Sequence, residues 1–157
     1  MYRIGQGIDF HQLVENVPLI IGNVTIPFHK GSEGHSDGDV LFHALTDAIF
    51  GSIGAGDLGF YFPSTSSKWK DADSTIFLKY AVKMLKDKKY KIVNTDSTII
   101  LQKPKISAYI PKIKKKISQI TDCNNVSVKS TTTDYLGFVG NSMGICAISN
   151  VLICKDS

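Results

Sequence analysis

A chain of 157 residues with net charge +4 is long enough for one ordinary domain and short for two. With 43% hydrophobic and 20% charged residues it can build a packed core, which excludes a disordered chain. No apolar run approaches the roughly 20 residues of a membrane span, and Met1 to Asp9 is short, contains glycine and ends in charge, unlike a secretory signal.

Residues 2–9 read as a strand. Residues 18–26 read as two short strands, Leu19 to Ile21 and Val24 to Ile26, around a Gly22-Asn23 turn. A polar, glycine-rich stretch runs from Lys30 to Gly38. Asp39 then precedes Val40, Leu41, Ala44, Leu45 and Ala48, the spacing of a helix that Gly51 closes. Residues 51–71 hold Gly51, Gly54, Gly56 and Gly59, then Ser64, Ser66 and Ser67, with no sustained period; a loop this long is more often functional than a connector. Asp73-Ser74 reads as the cap of a second helix, with Phe77, Tyr80, Ala81, Met84 and Leu85 on one face. Residues 91–102 read as a strand and 106–121 as a helix that starts nearer Tyr109, because Pro111 fits only the first turn. Further strands are expected at 126–132 and 144–154. Of these, Ile145 to Ile153 is too apolar for a solvent-facing edge. Strand and helix alternate without repeats or linkers, which implies one two-layer α+β domain over 1–157, its helices packed on one mixed sheet.

The basic excess gathers at Lys112, Lys114, Lys115 and Lys116, interleaved with Ile110, Ile113, Ile117 and Ile120. That is an amphipathic helix with a solvated lysine face; without interleaved aromatics it offers nucleic acid no stacking platform. The three cysteines, Cys123, Cys146 and Cys154, are odd in number and form no CxxC pair. They read as reduced intracellular thiols, not a disulfide framework or a zinc site.

Asp9 and His11 are two apart, so on a strand both project from one face. A carboxylate beside an imidazole suits a divalent metal of the zinc type, although such a pair is more often a surface hydrogen bond. The third ligand expected is His43, about one turn into the first helix and flanked by Leu41, Phe42, Ala44 and Leu45; the competing reading is a satisfied core histidine. Three protein ligands with an open fourth position is the catalytic arrangement of zinc. His29 reads as a plain surface residue. In His35-Ser36-Asp37-Gly38-Asp39, Asp39 serves as a helix N-cap, which leaves His35 and Ser36 unexplained. Lys129-Ser130-Thr131-Thr132-Thr133-Asp134 ends a strand and leads to Gly137-Phe138-Val139-Gly140. Hydroxyls, a lysine and a carboxylate at one loop suit phosphate and Mg²⁺, while the threonine run alone is also plain β-propensity.

Several blocks, in order, resemble one family. They are Arg3-Ile4-Gly5, Asp9-Phe10-His11, His35 to Asp39, His43 to Ala48, Gly56 to Gly59, Phe62-Pro63, Gln102 to Lys105, Lys129 to Thr133 and Leu136 to Phe138. The chain is similar over nearly its whole length to the 2-C-methyl-D-erythritol 2,4-cyclodiphosphate synthases. The resemblance implies a zinc-type ion on Asp9, His11 and His43. It implies His35 and Thr132 as transition-state stabilisers, and Asp57 and Gly59, beside Leu58, as ribose contacts. Leu101, Pro104, Lys105, Ile106 and Ser107, with Ser130 to Thr132, match a cytosine pocket. Ser36, Phe62, Ser66, Thr133 and Phe138 fall in the family's substrate-binding segments. The implied reaction converts 4-diphosphocytidyl-2-C-methyl-D-erythritol 2-phosphate to the cyclic diphosphate and CMP, with Mg²⁺ or Mn²⁺ on the substrate diphosphate. The implied assembly is a homotrimer with sites between subunits, and the apolar Ile145 to Ile153 strand agrees with it. The implied compartment is the cytoplasm for a bacterial source, or a plastid-type organelle where a targeting segment has been removed; neither a membrane nor a nucleic acid is an expected partner.

Three positions depart from the family pattern. Asp134 stands where a Mg²⁺-binding glutamate is usual, Ser64 where an aspartate meets the methylerythritol hydroxyls, and Asn141 where an arginine faces a phosphate. None is a zinc ligand. Two other functions compete: a phosphohydrolase using the same metal site to activate water, and a non-catalytic trimer that binds a nucleotide or isoprenoid diphosphate.

Overall fold

The computed structural model describes residues 1–156, so the last position of the expected domain lies outside the described residues. The strands are β1 (Tyr2–Glu15), β2 (Leu19–Ile21), β3 (Val24–Ile26), β4 (Lys30–Ser32), β5 (Tyr90–Ile100), β6 (Val126–Thr131) and β7 (Gly144–Lys155). The helices are α1 (Val40–Ser52), α2 (Leu58–Tyr61), α3 (Thr75–Asp87), α4 (Ile110–Thr121) and α5 (Gly137–Gly140). Five strands form one sheet in the order β4-β1-β7-β5-β6. Its pairings are antiparallel except β5 with β6, which makes it mixed. The strands β2 and β3 form a separate two-stranded sheet, an addition to the single sheet expected. Their turn residues Gly22 and Asn23 both have positive φ, as a tight two-residue hairpin requires.

α1 is apolar nearly all round. Val40, Leu41, Phe42, Ala44, Leu45, Ala48, Ile49 and Phe50 are fully buried, as befits a helix enclosed on every side. It lies directly on β1. A Cβ on Gly7 would stand 1.9 Å from the Ala44 carbonyl oxygen, and one on Gly5 the same distance from that of Ala48. The helix therefore advances four residues while the strand retreats two, and its first turn arrives over Asp9 and His11. Asp39 caps that turn by accepting from Phe42 N at 3.0 Å, and also accepts from Gly22 N and Asn23 N, tying the hairpin to the helix start. Burial pushes the Asp39 carboxyl up to about 6 against the pull of these N–H donors.

Several boundaries differ from expectation. β1 continues six residues past Asp9 to Glu15, because the stretch finds strand partners in turn, Phe10 to Gln12 on β7 and Leu13 to Glu15 on β4. β4 falls inside the polar Lys30 to Gly38 stretch. α1 runs past Gly51 to Ser52. The long 51–71 loop contains α2 and a 3-10 turn at Ser67–Trp69. The third long helix begins at Ile110 after a 3-10 turn, with Pro111 in its first turn as expected; Ile113 and Ile117 are buried and the lysine face is outward. β7 is a central strand, and that position explains the apolar Ile145 to Ile153 run: Ile145, Ala147, Val151 and Ile153 lie beneath α1's side of the sheet. Among the described residues no long helix covers the opposite face of the sheet. There Tyr2, Ile4, Ile8 and Phe10 are exposed, with Ile4 at 79%.

Candidate functional site

The odd-numbered residues of β1 face α1, so Asp9 and His11 point toward the helix whose first turn delivers His43. Asp9 Oδ2 lies 2.7 Å from His11 Nε2 and 3.2 Å from His43 Nδ1, and the two ring nitrogens are 3.1 Å apart. Donor atoms on a tetrahedral ion with arms of about 2.0–2.1 Å stand about 3.3 Å apart. The triangle fits one such ion, and these are the described residues that gather in a metal-competent group. His11 Nδ1 sits 2.7 Å from the Glu33 carbonyl. A carbonyl only accepts, so Nδ1 carries a hydrogen; the neutral ring then keeps the Nε2 lone pair for an ion, and the charged ring donates from Nε2 to Asp9. His43 is 7% exposed, but its ring is part of the cluster and not merely core. Burial favours neutral Asp9, yet the His11 and His43 rings beside it outweigh that and hold the carboxyl below the usual carboxylate range. Burial likewise opposes charge on His11, while bonding to Asp9 lifts its pKa above the ordinary value.

A cavity of about 160 Å³ opens beside the triangle, lined by His11, His35, Ser36, His43, Leu58, Phe62, Ser64, Trp69 and Phe77. Ser36 Oγ is 3.0 Å from His43 Nε2. His35 Nε2 donates to the Ser66 carbonyl at 2.8 Å, so Ser66 acts through its backbone. Asp57 caps α2 by accepting from Phe60 N, and Asp47 accepts from Leu58 N, which holds α2 against α1. Phe62 packs on Trp69 and Phe77, giving the cavity an aromatic wall.

A second hollow, about 490 Å³, lies at the ends of the parallel pair β5 and β6. Leu101, Gln102, Lys103, Pro104, Lys105, Ile106, Ser130, Thr131 and Thr132 line it. Leu101 and Ile106 are core residues, 3% and 1% exposed, so what they offer a ligand is backbone. Ser107, in the following 3-10 turn, lies just past this lining. Thr132 Oγ1 accepts from Asp134 N, and Thr133 Oγ1 donates to the Leu136 carbonyl. Asp134 and Asn141 are exposed, Asn141 as the residue ending α5, and Phe138 packs near Phe10 at 6.1 Å between ring centres.

The two hollows share no lining residue. Asp9 pairs with Ala147, Ala147 with Ile99 and Ile99 with Ser130, so three strand spacings, about 14 Å, separate them. His35 and Thr132 consequently stand at different ends of one chain. Sequence reasoning missed the wall residues Trp69 and Phe77, whose pattern is that of ordinary core, and Ser74, which reads as a helix cap.

An α+β domain with an open Asp/His/His triangle beside a cavity is the frame of a metal-dependent enzyme. The model of the YgbB family matches residues 2–154. The chain is 52% identical over 157 residues to the 2-C-methyl-D-erythritol 2,4-cyclodiphosphate synthase of Shouchella clausii (strain KSM-K16), covering 99% of both. It is 51% identical over 158 residues to the synthase of the same description from Geobacillus kaustophilus (strain HTA426), covering 99% of this chain and all of the relative. Among solved structures it is similar to the CDP complex of IspF from Plasmodium falciparum (TM-score 0.87, 35% identity, 99% of this chain and 97% of that one). It is also similar to the bifunctional IspDF of Campylobacter jejuni (TM-score 0.95, 36% identity, 99% of this chain), of whose length it spans 42%. The chain belongs to the YgbB family.

Proposed function

We propose that this chain is a phosphorus–oxygen lyase of isoprenoid precursor synthesis, a 2-C-methyl-D-erythritol 2,4-cyclodiphosphate synthase working at Asp9, His11 and His43. In the reaction an oxygen of the substrate's 2-phosphate bonds to the β-phosphorus, the bond from that phosphorus to the cytidylyl phosphate oxygen breaks, and CMP leaves. Both reacting groups are anionic, so the rate depends on positioning and charge neutralisation. The triangle of donor atoms, with a fourth direction open to substrate, is the observation that carries this reading. A divalent ion held there, zinc by its donor set, supplies Lewis-acid stabilisation of phosphate charge.

The remaining roles belong to the chain. His35 is anchored through Nε2, which donates to the Ser66 carbonyl; a bond from its Nδ1 to a phosphate oxygen then takes the imidazolium form, in which both ring nitrogens donate. Ser36, Ser64 and the Phe62 wall orient the methylerythritol moiety, and Leu58 to Gly59 with Asp57 meet the ribose. The backbone of Leu101 to Ser107, with Ser130 and Thr131, reads the cytosine edge, and Thr132 donates to the diphosphate. Asp134 is exposed at that loop and is the ligand for a second ion, Mg²⁺ or Mn²⁺, on the diphosphate.

The working form is a homotrimer whose sites pair the metal cavity of one copy with the cytosine trough of the next. Two observations support this. The halves lie far apart in one chain, and the bare sheet face exposes Ile4, Ile8 and Phe10 beside Leu136 and Phe138. Light scattering should return the mass of about three chains, and an active monomer would rule the shared site out. The place of work is the cytoplasm, in line with three free cysteines and the bacterial relatives; no described helix is long and apolar enough to cross a membrane. Incubating protein with the cytidylyl substrate should yield CMP and the cyclic diphosphate, with loss on chelation and recovery on adding zinc. Inorganic phosphate as the product would instead mark a hydrolase.

A further inference from the structure

Ser74 stands at the N-cap of α3, 0% exposed, yet its hydroxyl makes no capping bond. The neighbouring Asp73 takes that work, accepting from Thr75 N at 2.8 Å. A buried serine relieved of its usual task has its hydroxyl elsewhere. Here Ser74 Oγ lies 2.5 Å from Asp37 Oδ1 and 2.9 Å from His43 Nε2. Asp37 is held in turn: its Oδ2 accepts from Ser74 N at 2.9 Å and its Oδ1 from Asp39 N at 3.0 Å. Two backbone bonds, Asp71 N to the His35 carbonyl and Asp37 N to the Ala72 carbonyl, bind the two segments into one body.

We propose that Ser74 and Asp37 are a positioning pair that fixes the His43 ring with its Nδ1 lone pair aimed at the divalent ion. The inference rests on the metal reading above. A carboxylate accepts and does not donate, so the Ser74 hydroxyl hydrogen goes to Asp37. Ser74 Oγ then has only lone pairs to offer His43, and the ring must supply the hydrogen from Nε2. That leaves Nδ1 bare, facing Asp9 Oδ2 and His11 Nε2. Outer partners of this kind set the tautomer and orientation of ligating histidines, and their loss costs about 10–100-fold in metal affinity. Ser36, also near Nε2 but with no carboxylate partner, keeps its hydroxyl hydrogen for substrate.

The test uses nitrogen-15 NMR of the metal-free full chain, which distinguishes the two imidazole tautomers, and zinc affinity by chelator competition. Wild type should show His43 with hydrogen on Nε2. Ser74→Ala should show mixed tautomers and about 10–100-fold weaker zinc binding, and Ser74→Thr, which returns the hydroxyl, should recover much of it. Hydrogen on Nδ1 in the wild type overturns the pair even if Ser74→Ala does not fold. Unchanged zinc affinity and tautomer in Ser74→Ala overturn it as well. Failure of the metal reading has a separate signature, zinc binding equally tight in wild type and His43→Ala, and the tautomer of the metal-free ring still decides the role of Ser74.

Discussion

The cavity around Asp9, His11 and His43 and the trough at residues 101–106 and 130–132 are built in opposite ways. In the first, the polar side chains engage one another: Asp9 with both histidines, His11 with the Glu33 carbonyl, His43 with two serines, Asp39 with three backbone donors. In the second, the core side chains face inward, the threonines are largely exposed, and the shape comes from backbone, as in the bond from Leu101 N to the Thr131 carbonyl. Charge handling needs donors and acceptors in place before the reaction, since reorganising them during it raises the barrier. Reading a base edge needs only peptide groups at fixed spacing, which the ends of paired strands supply. The first half is finished within one chain, while the second is an open trough.

Four substitutions break or sharpen that contrast. His43→Ala removes a corner of the triangle; turnover should fall by about a thousandfold or more, several kcal/mol of transition-state stabilisation. Bound zinc should fall to well below one per chain, with circular dichroism near wild type. Full turnover and full metal content would remove the centre from the mechanism. Thr132→Ala takes one hydroxyl from the open half, and kcat should drop about a hundredfold with zinc content unchanged. A parallel loss of metal would mean the halves are not independent.

Asp39→Asn attacks the scaffold of the closed half. An amide cannot accept from Gly22 N, Asn23 N and Phe42 N as the carboxylate does, and one unpaired buried group costs about 1–3 kcal/mol at neutral pH. Denaturant melts of the metal-free protein measure it. Folding raises this carboxyl from 3.8 to about 6, so between those values the native state holds more protons than the unfolded chain. The group's contribution therefore declines as pH rises from about 4 to 6 and is flat above, and the deficit of Asp39→Asn should widen as pH falls through that window. A deficit independent of pH would show that Asp39 does not titrate there.

Asn141→Arg carries the smallest effect. A charge-assisted bond exceeds a neutral one by about 1–1.5 kcal/mol, so KM should drop several-fold with kcat nearly unchanged, a gain that shrinks as salt rises. The competing account is that Lys103 or Lys129 already supplies the charge. Lys129 is paired with Asp96, which leaves Lys103 as the better substitute. An unaltered KM at low salt would take position 141 out of the site.

Local chemistry was legible in the chain and long-range order was not. Asp9 and His11 could be placed on one face because strand alternation is local, and His43 followed from the Asp39 cap. The hairpin and the position of Pro111 were legible for the same reason. The central position of β7 depends on which strands pair, and an apolar run reads alike in a buried strand and in an interface. The extension of β1 was hidden because Gln12 and Glu15 look like loop residues until β4 pairs with that end. Ser74 escaped because a serine before a helix has a sufficient local explanation, and its actual partners are 31 and 37 residues away.

The contact of α1 with β1 through Gly5 and Gly7 bears on how the centre tolerates change. No side chain lies between helix and strand there, so the gap from His43 to Asp9 is gauged by peptide groups resting on one another. Altered volumes among Leu41, Leu45 or Ile49 press on the other sides of α1, where neighbours can yield, whereas peptide groups hardly compress. The interior can then drift in sequence while the ligand spacing stays calibrated, and a single methyl at position 5 or 7 would detune it.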